Sequence, residues 1–262
     1  MTAELKELTF DTDAGFGSRA RIGLVVLEND QTVEAELATL WPEGVAAFAT
    51  RIPMEDRVTA ETLLAMEARI PKAAGLLPDI MGFNVIGYGC TSAATLIGEE
   101  RVAAALRRAH PEVPNTNPIS AVLAAMKALG ARRIAVITPY NAEVTTGIVS
   151  LLEDRGLDVA AAGSFLEESD ANVARITEAS VAAAVREMVA NCTGDSDPEA
   201  LDAVFVSCTS LRAYGVAADL EAELGVAVIS SNLAFGWHLL RLAGIDDDLS
   251  GLGRLFSLGL ER

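Results

Sequence analysis

The sequence predicts an α/β protein built as two related lobes, each a parallel sheet covered by helices. Three observations lead there. Short apolar runs of β type alternate with longer segments of helical period. One strand-and-turn pattern occurs twice. At 262 residues and 51% apolar side chains, the chain is large enough for one big or two small α/β units.

The strands read as Ile22 to Leu27, Val85 to Tyr88, Ile134 to Thr138, Val159 to Ala162, Val204 to Ser207 and Val226 to Ser230. Between them, Glu61 to Leu77 places Leu64, Met66, Ile70, Ala73 and Leu77 on one helical face, with Pro71 as a candidate kink. Ser120 to Leu129 has the same character, and Gly130 can end that helix in the left-handed conformation. The repeat consists of Val85-Ile86-Gly87-Tyr88-Gly89-Cys90-Thr91-Ser92 and Val204-Phe205-Val206-Ser207-Cys208-Thr209-Ser210, each a buried strand running into Cys-Thr-Ser with a helix expected next. The two cysteines lie 118 residues apart, the length of a small α/β domain. Without a Gly/Ser-rich linker, the boundary is expected near Pro111 to Pro118. That gives an N-terminal lobe 1–118 with Cys90 and a C-terminal lobe 119–262 with Cys208, a helix around 231–245 returning to the first lobe.

Composition excludes several function classes. The three cysteines include no CxxC pair and form neither a disulfide framework nor a zinc knuckle. With only His110 and His238, a His-based metal site is not expected; His110 reads as a helix-end residue and His238 as a packed helical one. A formal charge of −17 with no basic, aromatic-interleaved run argues against nucleic acid. No signal-like or membrane-length apolar segment is present, so a cytoplasmic protein is expected. The dinucleotide fingerprint fails because Ser92 stands where a third glycine is needed, and neither a Walker loop nor a Gly-x-Ser-x-Gly elbow occurs.

Chemistry therefore falls to the thiols. Ligands collect at the carboxyl ends of parallel strands, where Cys90 and Cys208 both sit. A helix starting at each turn would offer backbone N–H groups to an anion and lower the thiol pKa from roughly 8.5 toward neutrality. On that basis Cys90 should alkylate well before Cys192. A single buried cysteine is more often a small hydrophobe than a catalyst, but two in matched turns reverse that weighting. Cys192, between the helical segment Val181 to Ala190 and a loop at Gly194, Asp195 and Ser196, reads as structural.

The two turns, together with Ile137-Thr138-Pro139-Tyr140, Asn172 ahead of Ala174-Arg175-Ile176, and Ser230-Ser231-Asn232-Leu233-Ala234-Phe235-Gly236-Trp237, resemble the aspartate/glutamate racemase superfamily over about residues 20 to 245. The nearest branch is similar to maleate cis-trans isomerase, with arylmalonate decarboxylase a cousin. This resemblance implies two pseudo-symmetric lobes with the active site in the cleft, no cofactor, no metal and a homodimer. It also implies Cys90 as nucleophile and Cys208 as proton partner, with Tyr140 and Asn172 binding substrate carboxylates alongside Thr91, Ser92, Thr209 and Ser210. Taken alone, Tyr140 could equally be a packed aromatic and Asn172 a helix cap.

Departures from the superfamily bear on the reaction. Thr209-Ser210-Leu211-Arg212 follows Cys208 where glutamate racemases carry a histidine, and both cysteines are present where the decarboxylases keep one. Isomerisation of a small carboxylate gains, with a racemase or epimerase, or a non-catalytic acid-binding protein, as alternatives. The loop Glu28-Asn29-Asp30-Gln31-Thr32 places Asp30 and Gln31 where a substrate carboxylate would bind. An ionised Asp30 would repel that carboxylate. Either the substrate presents a nitrogen there, as the similarity of this loop to the ectoine-utilisation branch implies, or Asp30 caps the next helix and points away.

Overall fold

The computed structural model describes residues 5–55, 57–192 and 200–260; the loop expected at Gly194 to Ser196 lies outside them. In chain order, the first half runs β1 (Ala20–Leu27), α1 (Val33–Ala38), β2 (Val45–Ile52), α2 (Ala60–Ala65), α3 (Ile70–Ala74), β3 (Val85–Gly89), α4 (Thr91–Ile97), α5 (Glu99–Arg107) and β4 (Asn115–Thr116). The second half runs α6 (Pro118–Leu129), β5 (Arg133–Thr138), α7 (Ala142–Asp154), β6 (Asp158–Ser164), α8 (Asp170–Val173), α9 (Glu178–Cys192), β7 (Ala203–Val206), α10 (Tyr214–Leu224), β8 (Ala227–Ser230) and α11 (Ser231–Leu242).

The strands form two four-stranded parallel sheets, ordered β2-β1-β3-β4 and β6-β5-β7-β8. The same order twice is what a duplicated α/β unit gives, since each right-handed crossover places its next strand on a fixed side. Strands β1, β3, β5, β7 and β8 are almost wholly buried, as sheets covered on both faces require. Helix α11 lies against β3, β4, α1 and α6, so this last helix packs on the first sheet. The approach needs a glycine: a Cβ on Gly87 would sit 2.4 Å from Phe235, far inside contact distance.

Several expectations change. The sequence reading does not include strands β2 and β4; β2 is an edge strand whose apolar stretch Val45 to Ala49 is mostly alanine and only partly buried. The expected helix over Glu61 to Leu77 is broken into α2, a 3-10 turn at Met66–Ala68 and α3, with Pro71 in the first turn of α3. That break turns Leu64 out to 45% exposure, while Met66, Ile70, Ala73 and Leu77 stay buried. Helix α6 ends at Gly130 with φ +66°, as expected. Cys90 leads straight into α4, but no helix starts at Cys208: α10 begins six residues later.

Candidate active site

Residues from the carboxyl ends of both sheets meet in one buried cluster. Cys90 is the N-cap of α4, its sulfur accepting the Ala93 N–H at 3.4 Å and lying 3.7 Å from Ser92 Oγ. Cys208 leaves β7 with φ +115°, a strained conformation for a residue with a Cβ. Its N–H donates to Ser231 Oγ at 3.0 Å, and that hydroxyl sits 2.8 Å from Thr91 Oγ1, joining the two cysteine turns. Thr32 Oγ1 donates to the Ser210 carbonyl at 2.8 Å, so the loop after β1 is tied to the turn after β7. Asn232 donates to the Thr209 carbonyl at 2.9 Å and to Glu36 at 2.6 Å.

Tyr140, 5% exposed, follows β5 and turns its hydroxyl toward both thiols, interacting with Cys208 and Ser92. Burial, then the neighbouring Cys208 and Cys90, push its phenol pKa well up, so Tyr140 is a neutral hydrogen-bonding group. Tyr88 is buried beside Cys90 with a hydroxyl that lacks a conventional partner. Cys90 also lines a small pocket with Leu27, Met54, Glu55, Thr62, Leu63 and Met66. The segment carrying Met54 and Glu55 reaches across to the loop after β6: Arg57 bridges Ser169, and the Val58 N–H points at the Glu168 carbonyl at 3.5 Å.

The expected electrostatics are reversed. Burial pushes Cys90 up to about 11; the Ala93 N–H and Ser92 pull it back by less, and Asp170 and Asp30 add to the rise. Cys208 is driven higher still by burial and then by Asp170. At 3% and 4% exposure, the loss of solvation outweighs the N–H donors that each thiol meets. Both resting groups are thiols.

The structure separates the other sequence candidates. Thr91, Ser92, Thr209 and Ser210 are buried around the thiols, whereas Gln31 is exposed. Asn172 is exposed as well: its N–H is capped by Ser169 and its side chain donates to Glu167 at 3.3 Å. Asp30 caps the start of α1 without pointing wholly away from the cluster. Its Oδ1 accepts the Thr32 and Val33 N–H groups at 2.8 Å, and its Oδ2 faces Ser210 Oγ at 3.5 Å. Cys192 ends α9 and is buried. His238 lies on α11 with Nδ1 2.8 Å from Thr116 Oγ1, and burial lowers its pKa to about 4. His110 is buried between the Ala74 carbonyl and Asp79, each 3.0 Å away. No group of three or more potential metal ligands occurs among the described residues.

Asp170, Ser231, Asn232 and Glu36 were missed from sequence. Asp170 was detectable only as the other polar residue beside Asn172. Ser231 and Asn232 lie inside a quoted motif, but their spacing to Cys208 has meaning only after β8 pairs with β7.

The family model described as arylmalonate decarboxylase matches residues 22–256. The chain belongs to the arylmalonate decarboxylase family. Within it, the chain is 26% identical over 252 residues to a maleate isomerase of Pseudomonas putida, covering 90% of this chain and 97% of that protein. It is 28% identical over 247 residues to the arylmalonate decarboxylase of Bordetella bronchiseptica, covering 91% and 97%. A Nocardia farcinica maleate cis-trans isomerase variant, with cysteine replaced by serine and a covalently bound succinylcysteine intermediate, superposes with a TM-score of 0.78 at 26% identity, covering 91% and 98% of the two chains. The expected superfamily and two-lobe α/β fold are both borne out. No helix of the described residues of this family member is long and apolar enough to cross a membrane.

Proposed function

We propose that this family member is a cofactor-independent isomerase that turns a small unsaturated carboxylate from its cis to its trans form through Cys90 and Cys208. The observation that carries the reading is the buried path between the thiols: Cys90 Sγ lies 3.7 Å from Ser92 Oγ, and Tyr140 interacts with both Ser92 and Cys208. The succinylcysteine of the Nocardia relative, a thiol added across a carbon–carbon double bond, supports the same chemistry here.

The path closes the proton balance that two neutral thiols demand. Cys90 sulfur bonds to one alkene carbon as its proton passes through Ser92 and Tyr140 toward Cys208. The π pair moves to the adjacent carbon, which takes the Cys208 proton. The former double bond is now single and rotates. Cys208 sulfur then recovers the proton from carbon, the carbon–sulfur bond breaks, the double bond re-forms in the trans geometry, and the proton on the relay returns to Cys90. Nothing is oxidised or reduced. Burial keeps bulk water from the intermediate.

The same reading takes lobes 1–118 and 119–262 as functional halves of a cytoplasmic homodimer acting in the breakdown of a nitrogen-bearing compatible solute of the ectoine type. The test is mass spectrometry of the Cys208→Ser variant with a cis-unsaturated acid, alongside proton NMR of the parent. An adduct of one substrate mass on Cys90 and a trans product are expected. Exchange of an α-hydrogen in heavy water with no geometric change would replace isomerisation by racemisation.

A further inference from the structure

Two carboxyl groups of opposite lobes flank the Cys208 end of the cleft, and neither is paired with a cationic side chain among the described residues. Asp30, from the loop after β1, is 3% exposed; backbone N–H groups satisfy its Oδ1, while its Oδ2 has only Ser210 Oγ at 3.5 Å. Asp170 opens α8 at 6% exposure, and its buried Oδ2 has no partner within hydrogen-bond distance, although the Ser210 hydroxyl lies close enough to this carboxyl to act on it. Asp30 acts on Asp170, both act on Cys208, and Ser210 meets both carboxyl groups. No Lys or Arg side chain bonds either carboxylate among the described residues. The Arg51 guanidinium, which reaches the Asp30 backbone, is taken up by the Leu27, Glu28 and Asp30 carbonyls and by Glu34.

A buried carboxylate oxygen without a partner is a strong acceptor waiting for a donor. A dicarboxylate entering this cleft would bring a second anion to the pair. A group bearing N–H would satisfy Asp170 Oδ2 and the open Oδ2 of Asp30 together. We infer that the substrate is an unsaturated monocarboxylate whose other end carries an N–H donor, an amide or ammonium, held between Asp30 and Asp170 beside Cys208. The inference rests on the isomerase reading and adds the substrate class to it.

Maleate and its half-amide, maleamate, differ in this one group. For the parent enzyme, kcat/KM for maleamate should exceed that for maleate by about a hundredfold or more, because a site built for a donor rejects the analogue lacking it. Asp170→Asn should cut that ratio at least about tenfold, and Asp30→Asn with Asp170→Asn should turn the preference toward maleate; each Asn keeps the shape and, at residue 30, the acceptor for the Thr32 and Val33 N–H groups. Thermal shift of the parent with each compound gives a second readout that needs no variant, with maleamate expected to raise Tm more than maleate. Equal or better use of maleate, with a ratio that Asp170→Asn leaves unchanged, overturns the inference and leaves the isomerase reading standing. It would mean that Asp170 is protonated and donates to a substrate carboxylate, as Asn also can. Absence of any Cys90 adduct or geometric isomer with both compounds overturns the isomerase reading, and the inference with it.

Discussion

Thr91 and Cys208, from the two halves of the duplicated fold, share one hydroxyl: Ser231 Oγ lies 2.8 Å from Thr91 Oγ1 and accepts the Cys208 N–H at 3.0 Å. All three residues are buried, so this hydroxyl sets how closely the two cysteine turns approach. Ser231→Ala leaves the Cys208 N–H without its acceptor and the Thr91 hydroxyl without this partner. A loss of about 1–3 kcal/mol is expected in urea unfolding. Turnover should fall with it, because the second thiol is no longer held in register with the first.

The positive φ of Cys208 makes a prediction of a different kind. Cys208→Gly and Cys208→Ala both remove the thiol and should both abolish turnover, but only glycine relieves a backbone at φ +115°. The glycine variant should unfold at a higher urea concentration than the alanine variant, by about 1 kcal/mol of stability. The reverse order would mean that the turn carries no strain.

Thiol reactivity follows from burial. With Cys90 pushed up to about 11, its thiolate fraction at neutral pH falls to about a hundredth or less of that of an ordinary cysteine near 8.5. Iodoacetamide labelling of Cys90 at pH 7 should therefore be slow, contrary to the early labelling suggested by the strand-and-helix pattern, and should rise about tenfold per pH unit toward pH 11. The stability sign is the same: the unfolded thiol ionises first, so the contribution present below about 8.5 is lost as pH rises toward 11.

Glu36 offers a cleaner pH signature. Burial holds its carboxyl up to about 7, opposed by the Asn232 side chain and the Tyr214 N–H. Since the unfolded carboxyl ionises near 4.5, stability is fully present below that pH, declines as pH rises to about 7, and is flat beyond. Glu36→Gln keeps an acceptor for Asn232 and removes the titration. It should match the parent near pH 4.5 and exceed it by about 1–3 kcal/mol at pH 8, read from urea midpoints.

Gly87 tests the seat of the last helix. With a Cβ placed 2.4 Å from Phe235, Gly87→Ala should lose about 1–3 kcal/mol by overpacking, and Phe235→Leu in the same chain should restore part of it.

Much of the fold was legible in the sequence because buried parallel strands are written as unbroken apolar runs. Six runs marked six of the eight strands among the described residues. The two that escaped are β2, whose apolar stretch is mostly alanine, and the two-residue β4. The repeated Cys-Thr-Ser turn likewise announced the pair of thiols, since a local pattern at a strand end survives in one dimension. The charge state of that pair, together with the partners that hold it, was decided by tertiary structure alone. Burial outweighs the helix start at Cys90, and no helix starts at Cys208. Asp30 and Asp170 are 140 residues apart in sequence and become neighbours only when the loop after β1 meets the loop after β6. Desolvation and charge–charge coupling depend on distance through space. The order of residues therefore marked the two thiol turns, while packing set the environment in which the thiols and the two carboxylates sit.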